Sequence, residues 1–233
     1  MGQVPLERAL SKLGVMSRAE TRRMIEAGRL SVNGRVIKDP SFLVIPEKVR
    51  IAVDSKPVGR AEACTIMLYK PKGLVTTRSD EKGRKTVYEL LPPRLQHLHP
   101  VGRLDMATTG LLLMTTDTQL SNFLTDPGNG IPRVYAVTAR GRISGNDIRR
   151  MTKGIPDKGE LLKAAKASVR KASGKETHLI LELNEGKNRE IRRMIEAVGS
   201  QVTSLKRIAF GKLTLGTLEP GGFREVAKRD ILS

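Results

Sequence analysis

The run Pro100-Val-Gly-Arg-Leu-Asp-Met-Ala-Thr-Thr-Gly-Leu-Leu-Leu-Met-Thr115 sets one carboxylate, Asp105, between a glycine-bearing turn and an apolar stretch of strand length. An acid so placed is suited to protrude into a cleft and act on a substrate, although the same spacing also allows Arg103 and Asp105 merely to tie down a turn. A second group of chemistry-bearing residues lies at Asn188-Arg-Glu-Ile-Arg-Arg-Met194. There Ile191, Met194, Ile195 and Val198 recur on one face of a helix, Arg189, Arg193 and Glu196 lie opposite, and Arg192 sits on the boundary. Arg192 can therefore keep its stem packed while aiming its charge into a cleft. No nucleotide-binding glycine loop, serine-hydrolase elbow or HExxH pattern occurs. The single cysteine, Cys64, and the histidines His97, His99 and His178 show no zinc-type spacing, so neither a metal nor another cofactor is expected.

The elements that must hold these groups divide into two regions. In the first, Leu6, Ala9, Leu10 and Leu13 mark one helix face that Gly14 can close, and Ser17-Arg-Ala-Glu20 reads as a capping box opening a second helix. Arg29 to Ile37 reads as two short strands around the Asn33-Gly34 turn, and Val49, Ile51 and Val53 alternate as a further strand. The polar segment 55–63, with Pro57 and Gly59, is the expected linker between a domain at 1–54 and one at 64–233. Beyond it, Thr65–Tyr69, Leu111–Met114, Val134–Thr138 and Leu179–Leu183 have strand length, with helices expected around 120–124 and 188–198. That mixture predicts an α+β domain on an antiparallel or mixed sheet. Residues 142–176 give no clear pattern beyond a basic surface.

Charge narrows the partner. The 233 residues carry 42 Lys+Arg against 24 Asp+Glu, a net +18, and only 7 aromatic side chains. Such self-repelling charge is unnecessary for an enzyme of a small neutral metabolite and points to a polyanion. Both regions share it, with 12 Lys+Arg and 6 Asp+Glu in residues 1–60. No stretch approaches the roughly 18 apolar residues of a membrane span, the N-terminus lacks an apolar signal core, and Leu6 breaks the myristoylation pattern. A cytoplasmic protein acting as a monomer is expected.

Leu13-Gly-Val-Met-Ser-Arg18, followed by Ile25-Glu-Ala-Gly-Arg-Leu-Ser-Val-Asn-Gly-Arg35, closely resembles the alpha-L RNA-binding motif, a small domain also found in a ribosomal protein. The resemblance implies docking on structured RNA, with Arg18, Arg22, Arg23 and Arg29 on phosphates; the plainer reading of these arginines is a solvated helix face. The run Gly102-Arg-Leu-Asp-Met-Ala-Thr-Thr-Gly-Leu-Leu112 looks like the signature of RNA pseudouridine synthases, in the bacterial branch that joins an alpha-L domain to a synthase domain. Lys70-Pro-Lys-Gly73, Tyr135 and Glu185-Gly-Lys-Asn-Arg-Glu-Ile-Arg-Arg-Met194 agree with it in order.

This resemblance implies an α+β synthase domain with a mixed, mainly antiparallel sheet, and isomerisation of a uridine in ribosomal RNA, with large-subunit RNA favoured. The bond from ribose to N1 of uracil is cut, the base turns, and C5 joins the same sugar carbon. By the same similarity Asp105 is the nucleophile, Arg192 its ion-pair partner, Tyr135 the ring against the extracted base, and Arg103 the side chain that displaces the base or holds phosphate. Ile191 walls the pocket, and Arg189 and Arg193 are left for RNA phosphate. One departure is Arg133, where the family commonly has lysine; it is read as an RNA contact. The alternative function is a non-catalytic RNA-binding or ribosome-assembly factor that kept the fold; a DNA-binding regulator lacks a recognisable helix-turn-helix.

Overall fold

A computed structural model of the chain describes residues 2–13, 15–16, 18–59 and 63–232. The helix stop expected at Gly14, the capping box expected of Ser17, and linker residues 60–62 lie outside the described residues. The chain forms two compact units, residues 1–64 with 93–99 and 115–118, and the remainder.

In the first unit α1 (Leu6–Lys12) and α2 (Arg18–Glu26) are followed by β1 (Leu30–Val32), β2 (Arg35–Val36), β3 (Ile51–Val53) and β4 (Lys56–Val58). Leu6, Leu10, Ile25, Leu30, Val32 and Ile51 are buried together, which is where the helical and alternating apolar patterns converge. Asn33 and Gly34 both have positive φ, 51° and 84°, as a tight hairpin turn with strand-like twist requires. Asp54 and Ser55 repeat the device, at 49° and 64°, and fold β4 back antiparallel onto β3. The expected linker is thereby corrected: its first part is an edge strand. Pro57 is compatible with a strand at an edge, where no ladder donor is needed.

The second unit is built on β5 (Thr65–Lys70), β6 (Thr109–Thr115), α3 (Thr118–Thr125), β7 (Arg133–Arg140), α4 (Gly145–Lys153), β8 (Lys166–Ala172), β9 (Glu176–Leu183), α5 (Glu190–Ala197), β10 (Val202–Phe210) and β11 (Phe223–Glu225). Its sheet runs in the order β8-β9-β7-β10-β6-β5-β11. β8, β9, β7 and β10 pair antiparallel, β10 and β6 parallel, and β11 antiparallel to β5, so the sheet is mixed and mainly antiparallel. Every residue of β5 is buried, matching its unbroken apolar run. Met67, Leu111, Leu113, Leu120, Leu124 and Phe210 form one core cluster. Among the described residues no helix is long and apolar enough to cross a membrane.

The stretch that lacked a pattern resolves into α4, a hairpin at Ile155–Asp157 and Glu160–Leu162, and β8. Ser144 and Asp147 cap α4 reciprocally, a signal present in the sequence. β8 shows no alternation because it is an edge strand with no fully buried residue.

Gly110 marks the tightest joint. It stands at φ 105°, paired with Arg207, and a Cβ there would lie 2.2 Å from the Arg207 carbonyl oxygen. Gly110→Ala is therefore expected to cost about 3 kcal/mol or more through strain and strand separation, read as a lowered urea midpoint with an unchanged m-value.

Candidate active site

The loop bearing Asp105 is pinned on both sides of the acid. At the end of β5, Lys70 is fully buried, and its ammonium donates to the carbonyls of Thr108 at 2.8 Å, Pro71 at 3.1 Å and Met106 at 3.4 Å. The Thr76 hydroxyl donates to the Leu104 carbonyl at 2.9 Å and accepts from the Leu104 amide at 3.3 Å. The Gly73 amide donates to Met106 and the Thr108 amide to Asp105 itself. Burial pulls the Lys70 ammonium down to about 8, against the opposing attraction of Asp105. With its backbone held, the Asp105 side chain stays 39% exposed on the wall between cavities of about 380 and 540 Å³. Arg103, Leu104, Asp105 and Arg189 line both cavities.

Helix α5 brings two guanidiniums to that carboxylate. Arg192 Nε lies 3.9 Å and Arg189 Nη1 4.0 Å from Asp105 Oδ2. Arg192 is the more buried, with 12% of its side chain exposed, and burial followed by repulsion from Arg189 lowers its pKa below the usual arginine value. Arg189, expected only at phosphate, thus also faces the acid, because it enters the helix in a left-handed conformation, φ 49°. Arg193 is corrected: its guanidinium is held by Asp157 at 2.5 Å and Glu160 at 2.6 Å, on the Ile155–Leu162 hairpin. Helical periodicity placed it on a free face, and a remote hairpin occupies that face.

Tyr135, Leu183, Ile191, Leu205, Arg207 and Phe210 line the smaller cavity with Asp105 and Arg192. Tyr135 is 8% exposed and Ile191 3%, and Arg103 is an exposed side chain at the rim. The reading of Arg133 as an RNA contact is corrected. It is buried, donates to the carbonyls of Ile131, Leu124 and Asn184, and lies over the Phe210 ring. Its donors sit on two separate nitrogens of a planar fork, so they reach carbonyls of separate segments that a single point-like ammonium would not span.

Residues overlooked as site members lie beside these. Glu190 is 3% exposed; one of its oxygens accepts the Lys187 amide at 3.1 Å and the other is buried without a partner. Lys187 in turn holds Glu185 at 2.5 Å and the Leu161 carbonyl. Burial, reinforced by the charge of Glu185, pushes the Glu190 carboxyl up to about 7. The acids standing within the basic run 185–193 were the available signal. In the first unit Arg18 and Arg23 are exposed, Arg22 pairs with Glu7 at 2.9 Å, and Arg29 pairs with Asp54.

The family described as RNA pseudouridylate synthase matches residues 65–197, a span containing Lys70, Asp105, Tyr135 and α5. The chain belongs to that family. Its first residues, 4–49, match the S4 domain. An uncharacterized RNA pseudouridine synthase of Aquifex aeolicus is 36% identical over 99% of this chain and 93% of the relative. Ribosomal large subunit pseudouridine synthase B of Bacillus subtilis is 33% identical over 97% and 93%, and its Escherichia coli K12 counterpart 36% over 95% and 78%. A crystal structure of a pseudouridylate synthase superposes with a TM-score of 0.69 at 27% identity, covering 98% of each chain. The synthase fold and an isomerase of RNA uridine at family level are thereby established.

The raised Glu190 pKa of this synthase has a consequence for stability. A carboxyl that is harder to ionise in the folded than in the unfolded state stabilises fully below the unfolded value and loses that contribution as pH rises through about 7. The stability difference between wild type and Glu190→Gln should therefore shift by roughly 2 to 3 kcal/mol in favour of the variant between pH 4.5 and 8.5, measured by urea denaturation at both values.

Proposed function

We propose that this synthase converts a uridine of ribosomal RNA, within the large subunit, to pseudouridine, with Asp105 as nucleophile and no cofactor. The observation that carries the reading is the convergence on one pinned carboxylate of two guanidiniums near 4 Å, beside an aromatic wall. The large-subunit assignment, and with it the bacterial branch carrying an alpha-L domain, is supported by the relatives of that name that span nearly the whole chain.

In this scheme a uridine leaves its stack to enter the cleft, with Arg103 at the rim displacing the base or holding phosphate. The base rests against Tyr135, and Ile191 closes the wall. With Asp105 as nucleophile, the bond between ribose and N1 breaks and the base turns; C5 then bonds to the same sugar carbon, the bond to Asp105 breaks to return the free carboxylate, and the C5 proton passes to water. Arg192 and Arg189 hold the carboxylate. The S4 domain grips phosphates through Arg18, Arg22, Arg23 and Arg29, and the protein works as a cytoplasmic monomer.

Unmodified rRNA carrying tritium at uridine C5 is expected to release label on incubation with the protein. Asp105→Asn abolishes release, by at least about a thousandfold, with RNA affinity unchanged. Binding without release from any rRNA instead supports the non-catalytic assembly factor. The double variant Arg18→Glu/Arg23→Glu weakens RNA binding and lowers the slope of log K against log salt by about 1.4 to 1.8, as filter binding across a salt series reads; an unaltered slope removes these arginines from the interface.

A further inference from the structure

Arg207 is a cation of the cleft wall that the scheme above leaves unused. It pairs with Tyr135 across β10 and β7 and with Gly110 of β6. Cross-strand partners project to the same side of a sheet, and Arg207 and Tyr135 both line the cavity that contains Asp105. The residue is only 3% exposed. A guanidinium has five N–H donors; here the Nε one donates to the Leu111 carbonyl at 2.7 Å, and Nη2 is buried with no partner. The group is also fixed in place, lying 5.0 Å from the centre of the Phe210 ring, while Arg133 lies 5.2 Å from the same ring. A buried, rigid donor left unsatisfied costs stability, and an apolar side chain would fill the same wall without that cost. The N–H groups of Nη2 fit an acceptor brought by the substrate.

We propose that Arg207 anchors the uracil base, donating from its unpartnered Nη2 to an exocyclic carbonyl of the ring that rests against Tyr135, both before and after the ring turns. The chemistry of the base explains why one fixed donor serves both orientations. Uracil carries carbonyl oxygens at C2 and C4, on either side of N3. Turning the ring about the line through N3 and C6 exchanges N1 with C5 and, at the same time, O2 with O4. A donor at one carbonyl position therefore meets an oxygen throughout. Cytosine would present its amino group there in one of the two orientations, donor against donor, so the same contact selects uracil. Arg207 forms no covalent bond in this role. The inference rests on the uridine isomerisation proposed above.

The test compares full-length wild type, Arg207→Met and Arg207→Lys in single-turnover tritium release. The rRNA transcripts are made with uridine, 2-thiouridine or 4-thiouridine, each labelled at C5. Sulfur is a weak acceptor, so either thio transcript slows the wild type about 10-fold or more. Arg207→Met is slower on the ordinary transcript by about 10- to 100-fold, the size of a lost charged hydrogen bond, binds each RNA as the wild type does, and shows no further slowing with sulfur. A residue that only supported the fold would leave the sulfur effect intact. A wild-type rate in Arg207→Met, or an undiminished sulfur effect in it, overturns the proposal. If Arg207→Met does not fold, Arg207→Lys decides. A lysine chain ends about where the guanidinium carbon lies, so an ammonium held at the Leu111 carbonyl stops short of the position of Nη2; its sulfur effect must shrink, and a full effect overturns the proposal. A wild type that binds rRNA and releases no tritium overturns the isomerase reading and this inference with it, whereas release by the wild type with an undiminished sulfur effect in Arg207→Met overturns this inference alone.

Discussion

The ammonium of Lys70, buried at the end of a strand covered on both faces, is the contact on which the site depends. It satisfies three carbonyls, two of them from the short loop that follows Asp105. A lysine with no water around it is held only if its donors find acceptors, and those acceptors are available in one loop conformation. The loop is thereby locked to β5, while Thr76 locks Leu104 on its other side. Asp105 is left as a half-exposed carboxylate on a rigid backbone, reachable by α5 and by a substrate. The same sheet presses β10 against Gly110, so the strand that carries Arg207 is positioned by the strand that follows the acid.

Charge is distributed on two scales. The whole chain is strongly positive, which suits a partner of RNA, and part of that charge is exposed on α2 and along the edge strand β8. Inside the cleft the balance is local. Asp105 meets Arg189 and Arg192; Glu185 and Glu190 stand around Lys187; Arg133 and Arg207 flank Phe210. Burial is the main reason that Glu190 resists ionisation and that the Arg192 pKa falls, and the charges of Glu185 and Arg189, crowded away from water, add to it. The wall is pre-arranged before any base enters, which reduces the reorganisation a reaction requires.

Helices α1, α2, α3 and α5 and the strands β1, β2, β3, β5, β6, β7 and β9 were legible from the sequence, whereas α4, β4, β8, β10 and β11 were not. The spacing of Leu6, Ala9 and Leu10 and that of Ile191, Met194 and Ile195 made their helices plain, and the runs at 65–69 and 111–114 made theirs. The strand at Lys56–Val58 escaped notice because its turn uses Asp54 and Ser55, residues less diagnostic of positive φ than Asn33-Gly34. β8 escaped because an edge strand needs no alternation. The motif around Asp105 and the boundary position of Arg192 on its helix were local patterns that, together with the family resemblance, singled out two side chains the fold brings within 3.9 Å of each other.

What the sequence determined by itself is therefore what depends on near neighbours: element type, which face of α5 is apolar, the turn that presents Asp105, and the polyanionic partner implied by net charge. The tertiary structure decided which charged residues are free to act. Arg193 and Arg133 read as exposed cations, yet one is held by a hairpin more than 30 residues earlier and the other by carbonyls of three separate segments. Arg207 lay in a stretch to which no element was assigned, and Lys70 stood out only as the first residue of Lys70-Pro-Lys-Gly73, yet both are buried beside the acid. A long cationic side chain takes its role from whatever acceptor lies within a few ångströms of its tip, and that acceptor is supplied by distant parts of the chain only when the sheet is assembled.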